Sequence, residues 1–422
     1  MLRSWPGQLA RWLVRGYPRR PVAMIATGVL AAALTVAAAL GGPAGGSGAR
    51  PAADVQRAAF PLTKIHHVWI IELENESSSA TFGDPSADPE LAKVLVSRGA
   101  LVKDYYGIGH DSLDNYIAEI SGQAPNVQTG QDCEYFSKFL QFGGENFDKW
   151  TKYGQLSGDG CVYPKYVRNL GSQLSAHGLS WKSYNQQMGN DPARDGTIAT
   201  AHGPACGHPK LGTIDQTDVT GPAHDSYATR HNPFVYFENI IGSQGYCDSH
   251  VVTLTPLTHD LARASTTPAY SWITPDTCAD AHDTPQCQDG AKGGLNQADK
   301  FLATWVPRIT ASPAYRQGGL ILITFDESGD DTNAKACCGE KDSLGYTDPS
   351  HPNVNEPGLY GPGGGRVGAV ALSPFIKPGT RTGVDYNHYS LLKTVEKIFG
   401  LPLLGDAKQP QVRAFGSDVF TG

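Results

Sequence analysis

The chain has 422 residues and a formal net charge of −7. Hydrophobic residues make up 40% and charged residues 18%, enough apolar material for a sizeable core, which excludes a disordered or low-complexity protein. The acidic balance leaves no basic footprint, so a nucleic-acid partner is excluded.

Residues 1–49 contain five arginines (Arg3, Arg11, Arg15, Arg19 and Arg20) and no acid. The basic stretch up to Arg20 precedes a mostly apolar run from Val22 to Leu40, and then small residues. That is the order of a signal peptide, n-region to h-region to cleavage zone. A run of about 19 residues also spans a bilayer as an uncleaved anchor. Residues 1–49 are therefore expected to be a signal peptide or an N-terminal anchor, with residues 22–40 as its membrane part. Either way the remainder is expected to be secreted or extracytoplasmic. Residues 50–63 read as a linker, and 64–422 as a single domain.

The 8 cysteines fit an oxidising compartment. Local pairing candidates are Cys133–Cys161, Cys206–Cys247 and Cys278–Cys287. Cys337 and Cys338 would be strained as a vicinal pair, so each is expected to bond elsewhere. No CxxC spacing suggests a structural zinc site.

The first predicted core strand is His67 to Leu73. Its run is apolar and ends in Glu74-Asn75-Glu76. A strand follows at Leu101 to Tyr106. Gly107 and Gly109 then free the backbone before His110, Asp111 and Ser112. Leu113 to Ile120 reads as a helix ending near Gly122. Ser112 is thus at a helix N-terminus, where it is either a routine N-cap or a nucleophile placed where negative charge is stabilised. Asn115 lies one turn further along the helix.

Lys165 to His177 is a predicted helix and Leu179 to Tyr184 a short strand. Residues 186–230 form a long polar insertion. Phe234 to Phe237 is predicted as a strand after Arg230-His231-Asn232-Pro233. Residues 251–263 read as a strand or turn and then a helix. Pro268 to Thr274 is a strand leading to Asp276, Asp280, His282 and Asp283. Asn296 to Ile309 is a helix.

The stretch Gly319 to Asp331 is the strongest signal. Leu320 to Phe325 is nearly unbroken apolar sequence, as in a central parallel strand. It stops at Asp326-Glu327. Adjacent carboxylates at the exit of a buried strand repel each other and resist desolvation, and a cation removes that cost. In open α/β sheets, ligands bind at such strand ends. A long loop follows, in which Arg366 is a candidate anion contact. Val367 to Leu372 is a further strand. Tyr389 to Phe399 is an amphipathic helix ending at Gly400, with His388 at its entrance. Alternating strands and helices predict an α/β class with a mainly parallel central sheet flanked by helices.

Several segments, in order, resemble the bacterial phosphoesterase family of secreted acid phosphatases and non-specific phospholipases C. They are Glu74-Asn75 with Phe82-Gly83, HDSLDNYIAEISG (110–122), RHNPFVYF (230–237), SWITPDTCADAHD (271–283), LITFDE (322–327), GPGGGRVGAVALSPFIKPG (361–379) and NHYSLLKTVEKIFGLP (387–402). The resemblance spans roughly residues 65–402 and implies an alkaline-phosphatase-like fold. It implies a divalent metal held by Glu74, Asn75, Asp326 and Glu327, with Ser112 as nucleophile. It places Asn115, His110, His231 and Asp283 on the substrate, and His282 or His388 as the acid that protonates the leaving alcohol. The expected substrate is a small phosphorylated molecule or a phospholipid head group. A phosphomonoesterase, with phosphoinositides among its candidate substrates, is the first reading. A phospholipase C and a non-catalytic cell-surface binding protein are the alternatives. Ser78 and Ser79 depart from the family's opening motif. Asp111 and Asp114 replace prolines around Ser112. These departures bear on pocket shape more than on chemistry. The oxygen-rich ligand set suits zinc, manganese, iron or calcium about equally.

Overall fold

The computed structural model describes residues 60–141, 153–217, 226–282, 287, 289–329, 335–341, 357–359 and 361–420. The proposed leader or anchor, including residues 22–40, and Asp283 lie outside the described residues. Among the described residues no helix is long and apolar enough to cross a membrane.

A ten-stranded sheet organises the chain. Its strands are β1 (His67–Leu73), β2 (Ala100–Val102), β3 (Trp181–Asn185), β4 (Ile198–Thr200), β5 (Gly203–Ala205), β6 (Val251–Thr253), β7 (Tyr270–Thr274), β8 (Gly319–Phe325), β9 (Ala369–Leu372) and β10 (Thr380–Thr382). The spatial order is β10-β2-β9-β8-β1-β7-β3-β6-β5-β4. The central five, β8-β1-β7-β3-β6, are all parallel. β9 runs antiparallel between β8 and β2, and β5 and β4 close the other edge antiparallel. Every residue of β7 and β8 is buried. Burial on both faces explains why these strands read as continuous apolar runs rather than alternating ones.

The register sets the site. Leu73 of β1 pairs with Phe325 of β8, so Glu74 and Asp326 emerge side by side. The bond from Asp326 N to the Leu73 carbonyl, at 3.0 Å, extends that pairing past both strand ends.

Helices cover both faces. Helix α1 (Ser112–Ser121) is buried along its whole length. Its Tyr116 ring lies 5.8 Å from Trp272 of β7. Trp272 pairs with Ile70 and faces the same way. On the opposite face Trp69 packs 6.3 Å from Tyr315, which follows helix α3 (Leu295–Ala311). Helix α2 (Leu170–Ala176) starts at the capping box of Asn169 with Ser172, so it is shorter than the 165–177 span predicted. Helix α4 (His388–Phe399) packs against α1 and is also buried nearly throughout. Most of its polar side is turned away from water, Lys397 being the exposed exception. Lys393 Nζ donates to the carbonyls of Gln409 and Val412 at 3.1 and 2.8 Å, and Glu396 accepts the Leu404 N–H at 2.7 Å. The C-terminal segment therefore covers a face that its pattern marked as exposed.

Two further expectations are corrected. Residues Pro233–Tyr236 form a 3-10 helix, not a strand. Pro233 fixes φ and lacks an N–H, which favours the first helical position, and the three aromatic rings that follow find core sites without a sheet partner. Cys337 and Cys338 are bonded to each other. The other six cysteines form the three predicted local pairs, which leaves each of these two only its neighbour.

Candidate active site

The site is built on two adjacent strand ends and one helix start. After β1 the chain turns sharply at Asn75, whose φ is +55°. Asn75 N donates to Asp326 Oδ1 at 2.9 Å, so the two strand ends are tied together. Before α1 the turn is made at Asp111, with φ at +97°. A third non-glycine residue of this kind, Ala281 at +86°, lies between Asp280 and His282. Such backbone is costly and persists only where the surroundings hold it.

Ser112 is the first residue of α1 and is buried. Its Oγ donates to Glu74 Oε2 at 2.7 Å. The other oxygen of Glu74 accepts from the Tyr116 hydroxyl, one turn along the helix. Asn75 Nδ2 donates to Glu74 Oε2 at 3.2 Å and lies 3.4 Å from His282 Nδ1. Burial, and next the charge of Asp326, push the Glu74 carboxyl well above its usual range, while the bonds from Tyr116 and Ser112 pull it down. Asp326 is likewise raised by burial and by Glu327.

Glu327 turns away from this centre toward the loop before Ser112. His110 Nδ1 is 2.5 Å from Glu327 Oε2, and Asp111 N donates to Oε1 at 3.2 Å. Gly107 and Gly109 are needed for close approach, since neither adopts a positive φ. A Cβ on Gly107 would sit 2.6 Å from the Asp326 carbonyl oxygen, and one on Gly109 would sit 2.2 Å from Asp114 Oδ2.

His231 is buried against Tyr116, the rings stacked at 5.5 Å between centroids. Its Nε2 is 3.4 Å from Glu74 Oε1 and its Nδ1 3.6 Å from Asp280 Oδ2. Burial, helped by the charges of Arg230 and His282, lowers its pKa well below the ordinary histidine value. Burial and the charge of Glu74 raise Asp280. Asp280 also accepts the His282 N–H at 2.9 Å, and its carbonyl accepts the Glu74 N–H at 2.6 Å.

Three candidates are placed differently from expectation. All four hydrogen-bonding positions of the Asn115 amide are committed to the loop before Ser112. Its Oδ1 accepts from Ile108 N and Gly109 N at 2.6 and 3.1 Å, and its Nδ2 donates to the carbonyls of Gly109 and Asp111, both at 3.0 Å. In this geometry Asn115 shapes the loop and offers no hydrogen to a phosphate. His388 is fully buried behind the site. Its Nδ1 is 2.6 Å from Glu119 Oε1 and 3.0 Å from the Tyr105 hydroxyl, and its Nε2 is 2.6 Å from the Asp326 carbonyl oxygen. Both ring nitrogens are engaged, so His388 holds the strand end rather than reaching a leaving group. Arg366 pairs with Asp104 at 3.1 Å, which accounts for its charge without an anion.

Tyr116 and Asp280 were missed as site residues. Asp280 belongs to the Asp-x-His-Asp cluster that drew notice to His282 and Asp283. Tyr116 lies at the i+4 position from Ser112, the spacing that puts two side chains on one helix face.

The donor set fits a hard divalent cation. Glu74, Asn75 and Asp326 converge, and Glu327 stands next to them. Asp326 Oδ2, Asp280 Oδ2 and both His231 nitrogens are buried without a hydrogen-bond partner. Carboxylates packed this way repel each other unless protonated or bound to a cation. Glu72, Glu119 and His388 form a second buried group whose ligand atoms all lie within 4.8 Å of one another.

An α/β protein with a serine at a helix start, facing clustered acids at the carboxyl edge of a parallel sheet, is the class that fold and site define. The chain belongs to the Phosphoesterase family, whose model matches residues 85–402. The match begins after the Glu74-Asn75 pair, so that pair stands on the geometry. The chain is 23% identical over 358 residues to an acid phosphatase of Aspergillus fumigatus, covering 84% of this chain and 58% of that protein. It therefore spans less than two thirds of that relative's length. It is 25% identical over 399 residues to a phosphatidylinositol-3-phosphatase of Mycobacterium tuberculosis, covering 94% of each. Among solved structures, it is similar to a protein of the alkaline phosphatase superfamily from Vibrio parahaemolyticus. That match has a TM-score of 0.42 and 12% identity, and covers 83% of this chain and 72% of the other.

Proposed function

We propose that this chain is an exported, metal-assisted phosphomonoesterase in which Ser112 accepts the phosphoryl group. The observation that carries the reading is the 2.7 Å bond from Ser112 Oγ to Glu74 at the start of α1. Glu74, Asn75 and Asp326 would hold the cation, whereas Glu327, expected as a fourth ligand, has both oxygens on His110 and the Asp111 N–H. When bound, it supplies Lewis-acid stabilisation of the serine alkoxide and of charge on the phosphoryl oxygens. Glu74 takes the proton of Ser112. Ser112 Oγ then forms a bond to phosphorus while the ester P–O bond breaks. The first turn of α1 faces the negative charge. His282, half-buried beside Asn75, gives a proton to the departing alkoxide. Water then breaks the phosphoserine P–O bond, releasing phosphate and restoring the serine. His110 and Glu327 orient the loop entering Ser112.

The two named relatives support phosphate monoesters as substrates, and the mycobacterial one supports phosphatidylinositol phosphates in particular. Disulfides Cys133–Cys161, Cys206–Cys247 and Cys278–Cys287 support export to an oxidising compartment.

The test is hydrolysis of p-nitrophenyl phosphate, phosphatidylinositol 3-phosphate and p-nitrophenylphosphorylcholine by wild type and Ser112→Ala, before and after chelation and metal replacement. Monoester cleavage that is lost on chelation, returns with metal and is abolished in Ser112→Ala is the expected result. Activity retained by Ser112→Ala would remove the nucleophile, and preference for the choline diester would reassign the chain to the phospholipases C.

A further inference from the structure

Large apolar side chains are exposed at only a few points among the described residues, and four of them gather in one place. Tyr135 is 50% exposed, Leu140 71%, Tyr166 43% and Ile214 60%. Ile214 stands directly across from Tyr135 in a two-stranded antiparallel ribbon, Tyr135–Phe136 with Thr213–Ile214. Leu140 is in the next short ribbon, paired with Asp159. The side chain of Gln141 meets the Tyr166 hydroxyl. Scattered exposed apolar residues need no explanation, but several carried on two successive short ribbons do. A two-residue ribbon has no core of its own to gain from them.

Cations surround this patch on a chain whose net charge is −7. Lys138 is 64% exposed and lies 3.5 Å from Glu238. Lys165 and Lys210 are exposed and line an open groove of about 810 Å³ together with Leu211 and Ile241. Glu134, Asp159 and Glu238 are the acids beside it among the described residues.

The patch is fixed to the active site at both ends. Asp132 Oδ1 accepts the Leu113 N–H at 2.9 Å, on the first turn of the helix that carries Ser112. The Cys133–Cys161 bridge follows directly. At the other end, Asp215 Oδ1 accepts from the Thr217 and Thr229 hydroxyls at 2.7 and 3.3 Å, two residues before His231.

We propose that this surface docks the protein on an anionic lipid bilayer. Tyrosine and aliphatic tips suit the boundary between head groups and acyl chains, and lysine stems lie along that boundary while their ammonium groups reach lipid phosphates. The purpose of the docking, to present Ser112 to a lipid-borne phosphate ester, rests on the phosphatase reading; the binding itself does not.

The test is co-sedimentation of the full, disulfide-intact chain with phosphatidylcholine vesicles, with and without about 30 mol% phosphatidylserine. Wild type is compared with Tyr135→Ser/Leu140→Ser/Ile214→Ser and with Lys165→Glu/Lys210→Glu. Wild type is expected to bind the anionic vesicles about 10-fold better than the neutral ones, and each variant to lose about 10-fold. Turnover of soluble p-nitrophenyl phosphate is measured in the same samples and is expected to be unchanged, which reports intact folding. Vesicle binding with no turnover in wild type would sink the phosphatase reading and leave the docking in place. Turnover without vesicle binding, or variants that bind as wild type does, would overturn the docking. Wild-type dimerisation lost in the apolar variant, with no vesicle binding, would give the patch to a second copy instead.

Discussion

His388 holds the main chain of Asp326: its Nε2 is 2.6 Å from the Asp326 carbonyl oxygen, across two elements far apart in sequence. A carbonyl only accepts, so Nε2 carries a proton. The opposite nitrogen meets Glu119 at 2.6 Å. The ring thus fixes where one metal-side carboxylate leaves its strand. His388→Ala is expected to lower kcat about 100-fold, as misplacement by about 1 Å does, with KM much less affected. The loss should be equal for good and poor leaving groups in steady-state kinetics. A loss confined to poor leaving groups would make His388 the general acid after all.

Asn115 fixes the loop from Ile108 to Asp111 through four hydrogen bonds to backbone groups. Asn115→Ala leaves those buried groups unpaired, at about 1–3 kcal/mol each where water does not replace the partner. The expected outcome is a lower melting temperature together with at least a tenfold loss of kcat, since about that much follows from a displaced nucleophile. Asn115→Asp keeps the two acceptor bonds and should fall between. Thermal unfolding and p-nitrophenyl phosphate kinetics on the three proteins check the order.

The Tyr116 hydroxyl donates to Glu74 and pulls its raised pKa down. Without that bond the carboxyl rises further. If ionised Glu74 takes the Ser112 proton, Tyr116→Phe moves the acid limb of the kcat/KM profile to higher pH and leaves the basic limb in place. A pH–rate profile of the two enzymes decides it, and an unmoved acid limb would detach Glu74 from proton transfer.

Asp88 offers a test away from the site. It is buried, and its pKa is raised to about 7, chiefly by burial and then by the charge of Asp299. The folded pKa lies above the unfolded one, so the stability this group contributes is full below about pH 4 and is lost as the pH climbs through 7. Asp88→Asn removes that loss. It is expected to be more stable than wild type by on the order of 2–4 kcal/mol near pH 8, and by little near pH 4. Urea unfolding at the two pH values measures the difference.

Local sequence determined the elements that make the site. The apolar runs of β1 and β8 ending in Glu74-Asn75 and Asp326-Glu327 are legible because a strand buried on both faces is built mostly of such residues, with buried Glu72 the exception in β1. The start of α1 near Ser112 and its stop at Gly122, where φ is +66°, follow from local backbone preferences. The three short-range disulfides were among the local candidates, but the sequence did not fix the pairing and the fold decided it. Tertiary structure alone decided how these pieces meet. The register of Leu73 on Phe325 puts Glu74 beside Asp326. The packing of α4 on α1 places His388 behind the site, and the C-terminal segment hides the polar side of α4. Asn115 turns inward because the loop before Ser112 needs every hydrogen bond its amide can make. Asp280 and Tyr116 become site residues because strand order brings them to Glu74 and His231. Helix and strand periods are properties of neighbouring residues, whereas the partner of a buried polar group is set by how separate segments pack, as for Ser112 with Glu74 and Asn75 with Asp326. One chain stretch therefore reveals which residues can do chemistry, and the folded sheet decides which of them face one another.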